Sequence, residues 1–272
     1  MTAIADPQVD WAGTAHPAAG ADARIACLVP SITELLFSLD LGERVVARTG
    51  FCVHPREAVR RVAKIGGTKD PDLDRLRAST PTHLIVNVDE NRREVVDAAR
   101  AFVPHVIVTH PLALSENPRL YRLIGAVFDQ PDAAEALCDR FLAAQRRLRN
   151  AVAPLPTEAV LYLIWKKPWM TVGADTYIAD VLATAGWKVV AADDAQPRYP
   201  VLDDNDSAWM RAQRILLSSE PYAFRARDAQ AVSAARNRPA DVIDGEMTSW
   251  YGPRAIAGMD YLGTLRRQLV RP

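Results

Sequence analysis

Apolar residues along the chain come in short solid blocks, separated by stretches in which they recur every three or four positions. Solid blocks predict buried strands, and the wider spacing predicts helices that bury one face. Strands are read at 24–29 (RIACLV), 44–48 (RVVAR), 82–88 (THLIVNV) and 105–109, and helices at 32–39, 73–78 and 90–102. Ser31 or Thr33 is placed to cap the first helix, which carries Glu34 in its opening turn, and Asp89 to cap the last. The segments 50–55 (GFCVHP) and 66–71 (GGTKDP) read as loops. Strict alternation of strand and helix favours a mostly parallel sheet covered by helices on both faces.

The rhythm breaks at 131–152. Here Ala134, Leu137, Cys138, Phe141, Leu142 and Leu148 keep helical spacing, with Pro131 at the start and Pro154 past the end. Arg140, Arg146, Arg147 and Arg149 fall on the other side and read as a solvated face that complements the helix dipole. Such a helix is roughly 30 Å long and holds no internal Pro or Gly to bend it. Alternation then restarts, with strands at 159–165 (AVLYLIW), 188–191, 214–218 (RILLS) and 241–244, and helices at 177–185, 226–236 and 253–269. Gly186 ends the first of these helices. The fold class expected is α/β, with two Rossmann-like α/β lobes bridged by one long backbone helix. The boundaries are a flexible tail at 1–23, a lobe at 24–130, the bridge at 131–153 and a lobe at 154–272. A stiff bridge predicts little closure on binding.

Charge adds an exclusion. The 33 basic residues balance 33 acidic ones, so no nucleic-acid surface is expected. Three widely spaced cysteines make a poor disulfide framework and suit a reducing compartment. No run of about 18 apolar residues occurs, so no membrane insertion is expected. Residues 1–23 have no signal-peptide pattern, which predicts a cytoplasmic protein, or a periplasmic one if the start is misassigned.

In open α/β sheets, ligands bind beyond the carboxyl ends of the strands. That rule selects Pro30 and Ser31, Phe51 and His54, and Gly67, Thr68 and Lys69 in the first half. It also selects the polar cluster Asn87, Glu90, Asn91 and Arg92, then Trp165, Lys166 and Trp169, then Glu220 and Tyr222, and last Trp250 and Tyr251. Trp165 and Trp250 are read as faces for a large flat ligand, against the alternative of ordinary packing, since each ring buries about 150–250 Å². Asn87, Asn91 and Arg92 can donate to ligand amides or carboxylates. Cys52 and His54 form a C-x-H pair and are the candidate metal ligands, although structural zinc takes about four protein ligands. The run Gly66 to Lys69 lacks the phosphate-loop spacing. No hydrolase, metalloprotease or dinucleotide motif occurs, and no nucleophile–base pair stands out.

Seven segments, VPSITELLFSLDLGERVVA, GFCVHP, GGTKDPDLDRL, NVDENRRE, WMTVGADTYIADVLATAGW, ILLSSEPYAF and DGEMTSWYGPRA, follow in an order that resembles the helical-backbone metal-receptor superfamily, the class III periplasmic-binding-protein fold. Its best-known members are the cobalamin- and iron-siderophore-binding proteins of ABC importers, and the likeness spans roughly 24–270. The resemblance implies a ligand held between two lobes. That ligand would be a corrinoid first, or a haem or other metal chelate, bound without covalent attachment. Asp74 stands where permease-docking members carry a glutamate, and the second docking position falls in the divergent stretch 201–213. The expected function is therefore a cytoplasmic carrier, scavenger or sensor. The alternatives are an enzyme that recruited the fold and the binding component of an ABC importer.

Overall fold

The computed structural model describes residues 8–193 and 198–270. The chain divides into two compact units, one comprising Met1–Pro111, Ser115–Phe141 and Tyr251–Pro253 and the other Leu112–Leu114, Leu142–Trp250 and Arg254–Pro272.

Unit 1 alternates strand and helix as the pattern predicts. It runs β1 (Ile25–Cys27), α1 (Pro30–Ser38), β2 (Val45–Arg48), α2 (Arg56–Val59), β3 (Ala63–Lys64), α3 (Leu73–Ala78), β4 (His83–Asn87), α4 (Arg93–Ala99), β5 (His105–Thr109) and α5 (Asn117–Val127). The five strands are parallel in the order β3-β2-β1-β4-β5. Ala26, Leu28, Ala47, Leu84, Val86 and Val106 pack with Leu76, Ala99 and Val103 in one core cluster. The alternating Ile25, Cys27, Ile85 and Ile107 are buried as well. Burial on both faces is what lets the strands read as unbroken apolar runs.

Three local expectations are corrected here. Pro30 occupies the first turn of α1 after an extended Val29, and neither Ser31 nor Thr33 caps it. The Thr33 hydroxyl donates back to the Val29 carbonyl instead. α4 starts at Arg93 without a side-chain cap from Asp89, because Asn91 folds residues 87–91 into a turn, its Oδ1 accepting from the Asn87 amide at 2.8 Å. The tail expected at 1–23 is packed from residue 8 onward, while residues 1–7 lie outside the described residues. Asp10 and His16 are buried, and the Asp10 carboxylate accepts from the Val108 amide on β5, 98 residues away. A composition rich in Ala, Gly and Pro did not foreshadow those bonds.

α6 (Pro131–Val152) is one continuous helix over the range the spacing predicts, with residues up to Phe141 in unit 1 and those from Leu142 in unit 2. Unit 2 contains β6 (Glu158–Trp165), β7 (Trp169–Thr171), α7 (Tyr177–Thr184), β8 (Trp187–Val189), β9 (Val201–Leu202), α8 (Ala208–Arg211), β10 (Arg214–Ser218), α9 (Ala226–Arg236), β11 (Ala240–Ile243), α10 (Gly245–Ser249) and α11 (Arg254–Leu269). Its sheet runs β11-β10-β6-β7-β9, and β8 pairs with the first half of β6. β11, β10, β6 and β8 are parallel, whereas β7 runs antiparallel to both of its neighbours, β6 and β9. The segment Trp165–Trp169, expected as a loop, is thus a tight connection back into the sheet. α7 ends as expected, with Gly186 at φ +82° just past its last turn.

Candidate functional site

The carboxyl ends of the unit 1 strands gather one group of the selected residues. Beyond β2, Phe51 is 62% exposed, Val53 is exposed too, and His54 is half-buried. Beyond β4, Asn87 and Asn91 are buried and spent on the loop itself. Asn87 Oδ1 accepts from the Asp89 amide at 2.8 Å, and Asn91 Nδ2 donates to the Thr68 carbonyl at 2.8 Å. They hold the Gly67–Thr68 turn against the β4 loop and leave no free amide. Arg92 pairs with Asp70 at 2.6 Å, and Lys69 is exposed beside it. Val88 stands 53% exposed on the same edge.

Beneath these loops lies a buried polar knot. The Tyr251 phenol donates to Glu90 Oε1, and burial followed by the Glu90 charge holds that phenol well above its usual pKa. The Ser31 hydroxyl lies beside it without completing a hydrogen bond. Two side chains of α5, which the sequence reading missed, fix the segment that carries Tyr251. Asn117 Oδ1 accepts from the Gly252 amide at 2.7 Å, and the Tyr121 hydroxyl donates to the Gly252 carbonyl at 2.8 Å. A signal for α5 was present: Pro118 at its start, then Leu120, Leu123, Ile124 and Val127 at helical spacing.

Cys52 is fully buried, its Sγ accepting from the Thr33 hydroxyl at 3.1 Å and lying 3.2 Å from the Thr49 hydroxyl. Burial pushes its thiol up, and the Cys27 thiol too, so neither offers a thiolate. Among the described residues, no three His, Cys, Asp or Glu groups gather to hold a metal ion.

In unit 2 the equivalent strand ends carry an aromatic wall. Trp165, at the end of β6, is 39% exposed and meets Tyr222 edge-on at 5.6 Å. Tyr222 lies 4.5 Å from Phe224, and Phe224 stacks on Trp169 at 6.2 Å. Trp169 meets Trp209 edge-on at 5.7 Å and, half-buried, packs against the unit 2 core. Lys166 donates to Asp228 at 3.0 Å, and this pairing holds the Asp228 carboxyl below its usual range. Asp228 was not foreseen; it sits at the third position of α9, where it also accepts from the Arg225 amide.

Glu220, beyond β10, accepts from the Ser249 hydroxyl at 2.9 Å and the Trp250 indole at 2.8 Å. Burial raises its pKa, and those two donors oppose the shift. The open aromatic face expected of Trp250 is corrected: the ring is 9% exposed, tied to Glu220 and lying under the Arg254 guanidinium at 5.2 Å. Its role in unit 2 is to position Glu220.

Each α/β unit thus presents apolar and aromatic side chains at the carboxyl ends of its parallel strands above a base of hydrogen-bonded polar groups, an arrangement suited to holding a ligand. The match to the periplasmic binding protein family spans residues 25–236. The chain belongs to that family and is a binding protein, not an enzyme. A vitamin B12-binding protein of Yersinia pestis (strain Pestoides F) is 20% identical over 202 residues, which is 74% of this chain and 71% of the relative. Among solved structures, the periplasmic vitamin B12 binding protein BtuF of Vibrio cholerae superposes with a TM-score of 0.77 at 18% identity, covering 92% of this chain and 98% of that one. The periplasmic heme-binding protein RhuT of Roseiflexus sp. RS-1 gives 0.78 at 21% identity, covering 92% and 100%. These likenesses establish the fold. Both proteins are described as periplasmic, so they lend no support to the cytoplasmic expectation and fit its alternative. No helix among the described residues is long and apolar enough to cross a membrane.

Proposed function

We propose that the protein binds a flat metal-centred macrocycle, a corrinoid first and a haem-type chelate second, on the carboxyl-end loops of its units. The observation that carries this reading is the set of large apolar side chains standing in water there: Phe51, Val53, Val88 and Trp165. Exposed apolar area is costly at roughly 25 cal/mol per Å², and a ligand face laid on a unit's loops would cover what that unit exposes. The vitamin B12-binding relatives support a corrinoid as the first choice, and the heme-binding neighbour supports the second. The same relatives support a solute-binding component of an importer, working in the periplasm, with Asp74 exposed on α3 as a contact for the permease.

Separate titrations with cyanocobalamin and with haemin, followed in the visible spectrum, test the proposal. A saturable shift with one of them is expected, and no shift with either would remove it. Trp165→Ala should weaken binding by about 10–100-fold, the range of roughly 1–3 kcal/mol typical of an aromatic anchor. Unchanged affinity would return that ring to packing against Tyr222. The double variant Cys52→Ser, His54→Ala should bind with modest loss and the same axial band, because the Cys52 thiol is sealed behind Thr33 and Thr49. A lost or replaced axial band would make the pair a coordination site.

A further inference from the structure

Chemistry also collects at the amino ends of the unit 1 strands, away from the loops described above. A cavity of about 250 Å³ lies there, walled by Thr82, His83 and His105 at the starts of β4 and β5 and by residues 17–23 of the segment preceding β1. The His83 and His105 rings stack at 4.7 Å with 19° between their planes, and Phe128 closes on His83 edge-on at 5.1 Å. His83 Nδ1 lies 2.8 Å from the Thr82 hydroxyl.

The segment over this cavity is held by a small set of bonds. Asp10 Oδ2 lies 3.0 Å from His16 Nε2 and accepts from the Val108 amide at 2.9 Å. The Trp11 amide donates to the Val108 carbonyl at 3.0 Å, and the Ala19 amide to the Val127 carbonyl at 2.7 Å. The Arg44 guanidinium clamps the carbonyls of Gly20, Ala21 and Phe128. Trp11 donates to Glu116 and lies under the Arg119 guanidinium.

We propose that the stacked His83–His105 pair is an acid-operated latch on residues 8–23. Neutral rings let the segment lie over the amino edge and along β5, and a proton on His83 detaches it. The ionisable groups that oppose a charge on His83 are all bases: His105 on β5, His16 on the segment and Arg44 before β2. Asp10 is committed to His16 and Val108, and Asp22, on the cavity wall, is paired with neither stacked ring. A proton on His83 therefore meets a stacked imidazole and a guanidinium, with no carboxylate among the described residues paired to it. The β-strands cannot yield, since His83 and His105 are register partners in the sheet. The segment can, because beyond the isolated Val9–Ala15 bridge it forms no strand, and it meets β5 only through bonds at Asp10 and Trp11. Its departure would uncover the Val108 amide and carbonyl on the outer edge of β5, opening that edge to another strand.

Burial first, then His105, His16 and Arg44, hold the His83 pKa down at about 4 against an ordinary 6.5. The docked form is therefore favoured in full above about 6.5 and loses ground as pH falls towards 4. If opening restores an ordinary imidazole, docking weakens by about a hundredfold between pH 7 and pH 4.

Peptide-resolved hydrogen exchange on the whole chain, corrected for intrinsic rates, tests this at the two pH values. The Trp11, His16 and Ala19 amides should lose about a hundredfold of protection, and those of β1 and β4 much less. His83→Phe keeps a ring against His105 and Phe128 but takes no proton, and it should keep residues 8–23 protected at pH 4. Equal protection of the wild-type segment at both values, or the same loss in His83→Phe, overturns the proposal. Should that variant not fold, ring NMR of the wild type decides. His83 titrating near 6.5 with the segment still protected refutes the latch, and titration near 4 together with loss of the segment supports it.

Discussion

Replacing Arg266 with alanine is expected to destabilise unit 2 by about 3–5 kcal/mol, the usual result of removing one partner from a buried ion pair. Arg266, on α11, is fully buried, yet every arm of its guanidinium is engaged. It donates to Glu158 Oε2 at 3.0 Å, to the Ala185 carbonyl at 3.0 Å and to the Pro156 carbonyl at 2.6 Å, and it lies over the Trp187 ring at 4.8 Å. Glu158 also accepts from Arg214, which reaches on to Asp241. Alanine would leave two carbonyls unmet, remove one of the three donors to the Glu158 carboxylate at the start of β6, and open a void beside Trp187. Arg266→Lys keeps the charge but cannot reach three acceptors from one plane, so it should lose an intermediate amount. Native-state exchange of the β6 and β10 amides reads the effect within unit 2. A loss under about 1 kcal/mol for the alanine variant would mean that the network is incidental to folding.

That arginine was hidden in the sequence among many others. Strand positions were legible because a strand buried on both faces must be a solid apolar block, as ILLS and HLIV are here. α6 was legible because its apolar residues keep one face over 22 positions. The rest depended on partners distant in sequence. Nothing near Asp10 announces an amide 98 residues away, and nothing near Arg266 announces Glu158. Among the candidate site residues, the rule about strand ends selected loops that do follow the strands but could not separate side chains that face outward from those that build the loop. Phe51 and Trp165 stand exposed, whereas Asn87, Asn91 and Trp250 are consumed by internal hydrogen bonds. Spacing carries no record of which way a loop residue turns. α5 is different, because its periodicity was readable and its two polar residues, Asn117 and Tyr121, matter most through what they hold.

What they hold is Gly252, and Gly252→Ala is expected to cost unit 1 about 2–5 kcal/mol. The residue sits at φ +82°, where a β-carbon is disfavoured by roughly 1–2 kcal/mol. That β-carbon would also stand 3.0 Å from the Ser31 carbonyl oxygen and 3.5 Å from the Leu35 β-carbon, both on the first turns of α1. Backbone cannot swing aside as a side chain can, so the segment must shift, typically at a further cost of about 1–3 kcal/mol. A shift strains the 2.7 Å bond from the Gly252 amide to Asn117, the 2.8 Å bond from Tyr121 and, one residue earlier, the Tyr251–Glu90 contact. Asn117→Ala attacks the same segment from the other side by leaving the Gly252 amide buried and unmet, at about 1–3 kcal/mol. Because both substitutions loosen one structure, the double variant should lose less than the sum of the singles. Denaturation of all four proteins, followed through exchange of the β1 and β4 amides, measures that coupling. Strictly additive losses would show that Asn117 and Gly252 stabilise unit 1 independently, and the account of α5 as the support for Tyr251 would fail.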